Sequence, residues 1–440
     1  MALRRVIGFW EALAVNLGAI IGAGIFVISG VAAGFAGPSA ILAIAVGAVI
    51  AVLTGLSFVQ LSHEYASEGG NYTYARRLLG PYAGIIVGGL FVVASAVGGS
   101  LVALSFAGYF ASLFGIGMGS VSLIAAAVIV ALGAINYFGV KSSADASLVL
   151  TVVKIAILAF FVVVGLFFIK PGNYSPFFPS GLGGMFEAAA FVFFAYTGFA
   201  RVTTIGEEVK DPKRTIPKSI VWSIVISAVI YVLVIAVLVG IAPYQSLAGS
   251  QSPLTAAIVE ATGNPMFGYI ISVGALFATV NVLLSMILAA SRVAFTMSRD
   301  GNLPSPLKRL NRFGSPDVAV LAATVIMAVS AVAIDFTEVA SLSNATALLS
   351  YALANVAALK LTLKYRKDPK KLFFGSKWFV LVPVLGVVSA IALIFFLTTL
   401  SLELLAILFA IISAYYLISK RVGGAPKKAA GPRPQQRRRS

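Results

Sequence analysis

Three stretches of this 440-residue sequence carry residues whose type and spacing could do chemistry. The first is Gly18-Ala19-Ile20-Ile21-Gly22-Ala23-Gly24-Ile25-Phe26, set in the middle of an apolar run from about Ile7 to Gly34. Each glycine costs a helix roughly 1 kcal/mol against alanine, so three of them invite a break. At membrane depth a break frees N–H and C=O groups that lipid cannot satisfy. It is tolerated only where it lines a cavity or is buried in protein. The N-terminus of the outer half-helix then faces an anionic group, and the freed carbonyls a cationic one. The same glycines would also let two helices pack closely. The second stretch is Phe193-Phe194-Ala195-Tyr196-Thr197-Gly198-Phe199-Ala200-Arg201, with Gly198 in mid-segment. The third surrounds Lys154, in Leu148-Val149-Leu150-Thr151-Val152-Val153-Lys154-Ile155-Ala156-Ile157-Leu158.

Other chemistries lack their residues. There is no cysteine, so no disulfide, thiolate metal site or cysteine nucleophile. The single His63 excludes a histidine-rich metal site. The acids that fall within the apolar segments, Glu11 and Glu187 among them, lie near segment starts. Acid–base or metal-assisted catalysis needs convergent carboxylates or histidines, so the sequence speaks against an enzyme and calls for no cofactor.

The elements that must position these residues are membrane helices. The chain is 60% hydrophobic and 11% charged, with mean hydropathy +1.00, far too apolar for a soluble domain. The expected fold is an all-α polytopic membrane protein with about twelve transmembrane helices: 8–34, 39–62, 82–114, 119–138, 143–169, 184–206, 217–242, 266–297, 317–334, 338–362, 376–397 and 400–419. The first segment has no small-residue cleavage pattern and is expected to be retained. All 32 Lys and Arg residues except Lys170, Lys154 and Arg201 fall in alternate connections, at the helix ends flanking them or in the termini. That asymmetry places both termini in the cytoplasm of a multi-pass cell-membrane protein and makes a nucleic-acid partner unnecessary. The polar stretch from Ser62 to Pro81 is expected as a cytoplasmic loop. Leu254 to Ala261 is expected as a short amphipathic helix over an outer pocket. The tail beyond residue 420, rich in Gly, Pro, Lys and Arg, is expected to be disordered.

Segments one and six, both interrupted by glycine, lie five helices apart. Such pairs point to a transporter site built from inverted repeats. The expected organisation is a first repeat over 1–170, a second over 171–366 and two additional helices over 367–420. Residues 421–440 form the tail. Because five is odd, the second repeat must be inverted.

Four motifs in this order resemble the amino acid–polyamine–organocation (APC) superfamily. They are Gly18 to Phe26; Ser67-Glu68-Gly69-Gly70-Asn71-Tyr72-Thr73-Tyr74-Ala75-Arg76-Arg77; Thr197-Gly198-Phe199 through Gly206-Glu207-Glu208-Val209-Lys210-Asp211-Pro212-Lys213-Arg214-Thr215-Ile216-Pro217; and Ser291-Arg292 with Met297-Ser298-Arg299-Asp300-Gly301. The resemblance spans segments one to ten. It implies the leucine-transporter-like 5+5 fold with discontinuous helices one and six, alternating access, and amino acids or related amines as substrates. It further implies that the amides around Gly22, Ala23 and Gly24 hold the substrate carboxylate. The carbonyls of Ile20, Phe194, Ala195 and Thr197 would take the ammonium, under an aromatic gate at Phe194.

Lys154 is similar to the fifth-helix lysine of the proton-coupled branch, where it takes the space of a sodium ion. The resemblance therefore implies protons as the coupling ion, contacts with first-helix backbone, and a polar partner on segment eight, either Asn281 or Ser285. Snorkelling toward the cytoplasm is the competing reading. Many family members carry Glu where this chain has Ala200 followed by Arg201, which argues against a cationic substrate side chain. Arg201 is costly in a membrane and should have a partner, with Glu11 the candidate for a gate or charge pair. The resulting expectation is a proton-coupled symporter of neutral amino acids. An ion-independent exchanger and a non-transporting sensor are the alternatives. A monomer suffices for transport and the oligomeric state is open.

Overall fold

The computed structural model describes residues 7–22, 24–65, 70–138, 144–203, 209–250, 252–368 and 372–423. Among them the chain is all-α. Its helices are α1 (Phe9–Ile20), α2 (Ser29–Ala36), α3 (Ala40–Glu64), α4 (Gly70–Leu78), α5 (Pro81–Phe114), α6 (Val121–Tyr137), α7 (Ala144–Leu166) and α8 (Gly181–Val192). They continue with α9 (Pro212–Ile241), α10 (Tyr244–Leu247), α11 (Pro253–Thr262), α12 (Pro265–Arg299), α13 (Asp317–Ala333), α14 (Phe336–Lys364), α15 (Leu381–Ile394) and α16 (Thr399–Gly423). Among the described residues seven stretches are long and apolar enough to cross a membrane, and shorter apolar helices accompany them. The protein is a multi-pass membrane protein.

Local signals explain many of the boundaries. Proline opens α5, α9, α11 and α12, where its missing N–H would have no intrahelical partner anyway. Asn264 caps α12, its Oδ1 accepting from the Met266 N–H at 3.0 Å. Pro212 starts α9, ahead of the seventh segment expected from 217. The stretch expected as a loop between segments two and three contains α4. Its Asn71, Tyr72 and Tyr74 are buried, and that burial outweighs its polar composition.

The long helices α5, α12, α3, α9 and α14 form the centre, and they pack through small residues rather than through an amphipathic stripe. Ser100, Ser105, Thr279 and Thr346 are fully buried, and each returns its hydroxyl to a carbonyl one turn back. Large apolar side chains such as Leu123, Val149, Val163 and Val229 face outward, as a lipid-facing surface requires.

Candidate functional site at the two helix breaks

Helix α1 runs through Gly18 and stops at Ile20, ahead of Gly22 and Gly24. Its last turn closes with Ile21 N–H on Leu17 O at 2.8 Å, and Ile21 then turns to an extended ψ of 98°. Ala23 lies outside the described residues. The chain resumes as a π-helical turn, Gly24–Ile28, and continues into α2. Tyr109 of α5 donates its hydroxyl to Phe26 O at 2.6 Å and anchors that turn. In the second break, α8 tightens into a 3-10 turn over Phe193–Tyr196. Both the amide and the hydroxyl of Thr197 donate to Phe194 O, at 3.1 and 2.9 Å.

The two breaks touch. A β-carbon built on Gly24 would lie 2.5 Å from the Ala195 α-carbon, and one on Gly198 would lie 2.4 Å from the Ala19 carbonyl carbon. Tyr231 of α9 spans both. Its hydroxyl sits 2.8 Å from Ile20 O and 3.2 Å from Ala195 O, one proton shared between two freed carbonyls. Tyr351 of α14 donates to Thr197 O at 2.7 Å. On the α1 side, Asn16 Oδ1 accepts from the Val202 N–H at 2.9 Å, tying the segment that follows the second break to the inner half-helix.

The structure thus brings together Ile20, Gly22, Gly24, Phe194, Ala195 and Thr197. It also gives all four carbonyls expected to hold an ammonium a protein donor. Ile20 and Ala195 share Tyr231, Phe194 has Thr197, and Thr197 has Tyr351. The oxygens of Ile20, Ala195 and Thr197 each accept one side-chain donor here and Phe194 O accepts two donors, so Phe194 O is the most fully occupied of the four. The sequence reading missed Tyr109, Tyr231 and Tyr351. A tyrosine in mid-membrane is a usable signal, because a buried phenol needs a partner and a broken helix supplies free carbonyls.

Lys154 is buried, at 1% exposure. Its ammonium donates to Gly18 O at 3.0 Å and to Ile21 O at 3.2 Å. It reaches inward to the end of α1 and does not snorkel. Thr151, one turn earlier, donates to Ala14 O at 3.2 Å along the same helix face. Asn281 approaches from α12: its Nδ2 would stand 3.9 Å from a β-carbon on Gly18. Neither Asn281 nor Ser285 is among the hydrogen-bond partners of the ammonium in the described residues, which are the two carbonyls.

A cavity runs from Phe194 toward α4 in two adjoining parts that share Phe91, Thr197, Arg201 and Tyr351. The part below Phe194 adds Ser95, Met286, Ser343 and Ala347, from the third, eighth and tenth expected segments. The part toward α4 adds Asn71, Ala200 and Thr203. Glu11 turns back on its own helix start, its Oε2 accepting from the Gly8 N–H at 3.0 Å. The ion pairs of the described residues do not join it to Arg201. Among the described residues Glu11 caps α1 while Arg201 faces the cavity, so the two do not form the expected Glu11–Arg201 pair.

Both ends are built over. At the α4 end, Tyr72 donates to Asp300 Oδ2 at 2.8 Å, Asn302 donates to the Tyr72 hydroxyl at 2.7 Å, and Arg76 pairs with Asp300. Burial and the Asp300 carboxylate push the Tyr72 phenol up. At the other end α11 lies against the outer half of the first broken helix, with Leu254, Ala257 and Ile258 buried and Pro253 close to Gly30. This is the short helix expected there.

Comparison with known proteins agrees with this architecture. The family model described as amino acid permease matches residues 7–418. A branched-chain amino acid permease of Bacillus subtilis is 31% identical over 412 residues, covering 89% of this chain and 88% of its own. A methylthioribose transporter of the same organism is 32% identical over 407 residues, covering 88% and 87%. Cationic amino acid transporter 1 of Arabidopsis thaliana is 31% identical over 345 residues, covering 74% and 58%. With a family match over nearly its whole length and two touching helix breaks at its centre, the chain belongs to the amino acid permease family of the APC superfamily and is a transporter, not an enzyme.

Proposed function

We propose that this protein carries amino acids with neutral side chains across the plasma membrane by alternating access, as a proton-coupled symporter with both termini in the cytoplasm. Residues 1–170 and 171–366 act as the two inverted repeats, with 367–420 as additional helices. The substrate zwitterion lies at the paired breaks. Its carboxylate meets the amides of Gly22, Ala23 and Gly24, and its ammonium meets the carbonyls of Ile20, Phe194, Ala195 and Thr197. Complementary backbone dipoles satisfy both charges without a fixed side-chain charge. Phe194, Met286 and Ala347 suit an apolar side chain, and the relatives named branched-chain amino acid permease support that class.

The observation that carries the coupling is the Lys154 ammonium on Gly18 O and Ile21 O. These carbonyls end α1, where the helix dipole is negative, and a charged donor there is about twice as strong as a neutral one. Protonated Lys154 fastens the inner half-helix to α7. Loss of the proton weakens both bonds and frees that half-helix, so proton binding biases the inward and outward states. Asn281, which approaches Gly18 from α12, is the proposed polar partner on the eighth segment.

The test is uptake of a labelled amino-acid panel into proteoliposomes, with and without an inward proton gradient, for wild type and Lys154→Ala. Stimulation by the gradient in wild type, lost in the variant, is the expected result. Uptake that ignores the gradient and depends on internal amino acid or sodium sinks the proton mechanism and makes Lys154 a fixed cation. An absence of any uptake or counterflow, with folded protein, points to a sensor.

A further inference from the structure

The wall that α5 gives to the cavity below Phe194 is Phe91, Ala94 and Ser95. Helical spacing brings Gly98 next on that face. Three groups from three other segments close on the place where its side chain would stand. A β-carbon built on Gly98 would lie 2.8 Å from Ser343 Oγ, 3.0 Å from Phe194 Cε2 and 3.5 Å from Met286 Cε. Ser343 belongs to α14, Met286 to α12 and Phe194 to the second break, and all three line the cavity. Ser343 also donates to Ala94 O at 3.3 Å, one turn before Gly98. A β-carbon here cannot be added without moving groups that face the cavity. Helix α5 is held in place by α12 and α14, which pack along it. In a close-packed bundle the hydroxyl and the ring then give way toward the open side, which is the cavity. On a different face of the same helix, a β-carbon on Gly99 would lie 2.7 Å from the Met327 sulfur.

Phe194 and Thr197 belong at once to the second break and to the cavity, so the side chain of a substrate held at the break enters this space. We propose that Gly98 is a positioning residue that sets the upper size of that side chain. By letting Phe194, Ser343 and Met286 lie close against α5, it keeps the cavity wide enough for a branched apolar side chain of leucine's size. A methyl group at Gly98 would push the same three groups inward and leave room for glycine and alanine alone. This rests on the substrate site proposed above and names the residue that draws its size limit. Rejection of the larger substrate is by a built clash, which discriminates more sharply than a lost contact does.

The experiment is competition for counterflow of labelled alanine in proteoliposomes, with unlabelled alanine, leucine and phenylalanine as competitors. In wild type, leucine should compete at least as well as alanine. Gly98→Ala should weaken leucine against alanine by about tenfold or more, the usual scale for an added methylene's worth of misfit. Gly99→Ala crowds the same helix against Met327, which is not among the described residues lining the cavity, and should leave the ratio unchanged. Exclusion of leucine by wild type overturns the proposal without any variant. An unchanged ratio in folded Gly98→Ala overturns it, and so does an equal shift in Gly99→Ala, which would make the effect one of general packing. If Gly98→Ala yields no folded protein, Met286→Ala decides. It removes the methyl group that stands over Gly98 and should strengthen phenylalanine against alanine by about tenfold, and no gain overturns the proposal. Failure of every amino acid to drive wild-type counterflow would instead refute the underlying transport reading. The two failures are thus distinguishable.

Discussion

Gly198 rests on Ala19: a β-carbon at Gly198 would lie 2.4 Å from the Ala19 carbonyl carbon and 2.5 Å from its oxygen. The obstacle is backbone, which cannot rotate away as a side chain could. Gly198→Ala is expected to force the two breaks apart and cost about 1–3 kcal/mol, the usual scale of overpacking. Gly183, in α8 with nothing within 4 Å of its would-be β-carbon, is the control. Gly183→Ala should be neutral or stabilise by up to about 1 kcal/mol. Thermal unfolding of both variants in detergent reads the contrast. Equal melting temperatures would contradict the backbone contact.

Tyr231→Phe keeps the ring and removes the hydroxyl shared by Ile20 O and Ala195 O. Two buried carbonyls lose a donor, a loss of about 1–3 kcal/mol. Stability should fall accordingly in the absence of amino acid. Added substrate should restore more stability to Tyr231→Phe than to wild type, because its ammonium supplies the missing donor. A substrate-induced rise in melting temperature no larger than that of wild type would separate Tyr231 from the substrate site.

At the α4 end, Tyr72, Arg76 and Asn302 converge on one carboxylate and its hydroxyl partner. A double-mutant cycle between Tyr72→Phe and Asp300→Asn should give a coupling of about 0.5–3 kcal/mol, as expected for groups sharing a network. Additive effects would mean that the hydrogen bond contributes nothing beyond the packing of its partners. The exposed Asp211–Arg214 pair, 3.9 Å apart with both side chains more than half exposed, should give a coupling near zero in the same measurement.

Tyr365 donates its hydroxyl to Glu64 Oε1 at 2.8 Å, and this bond, with burial and the carboxylate charge, pushes the phenol up to about 12. The folded state then holds the proton more tightly than the unfolded chain, whose tyrosine titrates near 10. The contribution to stability is therefore complete below about pH 10 and is lost as pH rises through about 12. Tyr365→Phe should be less stable than wild type at pH 8, and the gap should close across that window. A pH-independent gap would place the phenol's titration elsewhere.

Composition, hydrophobic run length and charge placement were enough to determine a polytopic helical protein and the position of both breaks. Lipid gives a backbone no alternative partner, so apolar runs of membrane length must be helical, and glycines inside them mark where a helix can stop. The break residues Ile20 to Gly24 and Phe194 to Gly198 are legible for that reason, as is Lys154, a charge where charges are costly. The short outer helix α11 is readable from its amphipathic spacing. Only the tertiary structure decided what meets what. That Lys154 reaches Gly18 and Ile21, that Tyr231 bridges Ile20 and Ala195, and that Arg201 turns to the cavity while Glu11 caps its own helix all depend on contacts between residues far apart in the chain. A lysine on an apolar helix carries no local mark of its partner. The rotation of α7, which buries Thr151, Lys154, Leu158 and Phe161, selects the carbonyls the lysine reaches. Local propensity fixes where a helix ends; the packing of the whole bundle fixes which side chain satisfies the backbone groups freed there.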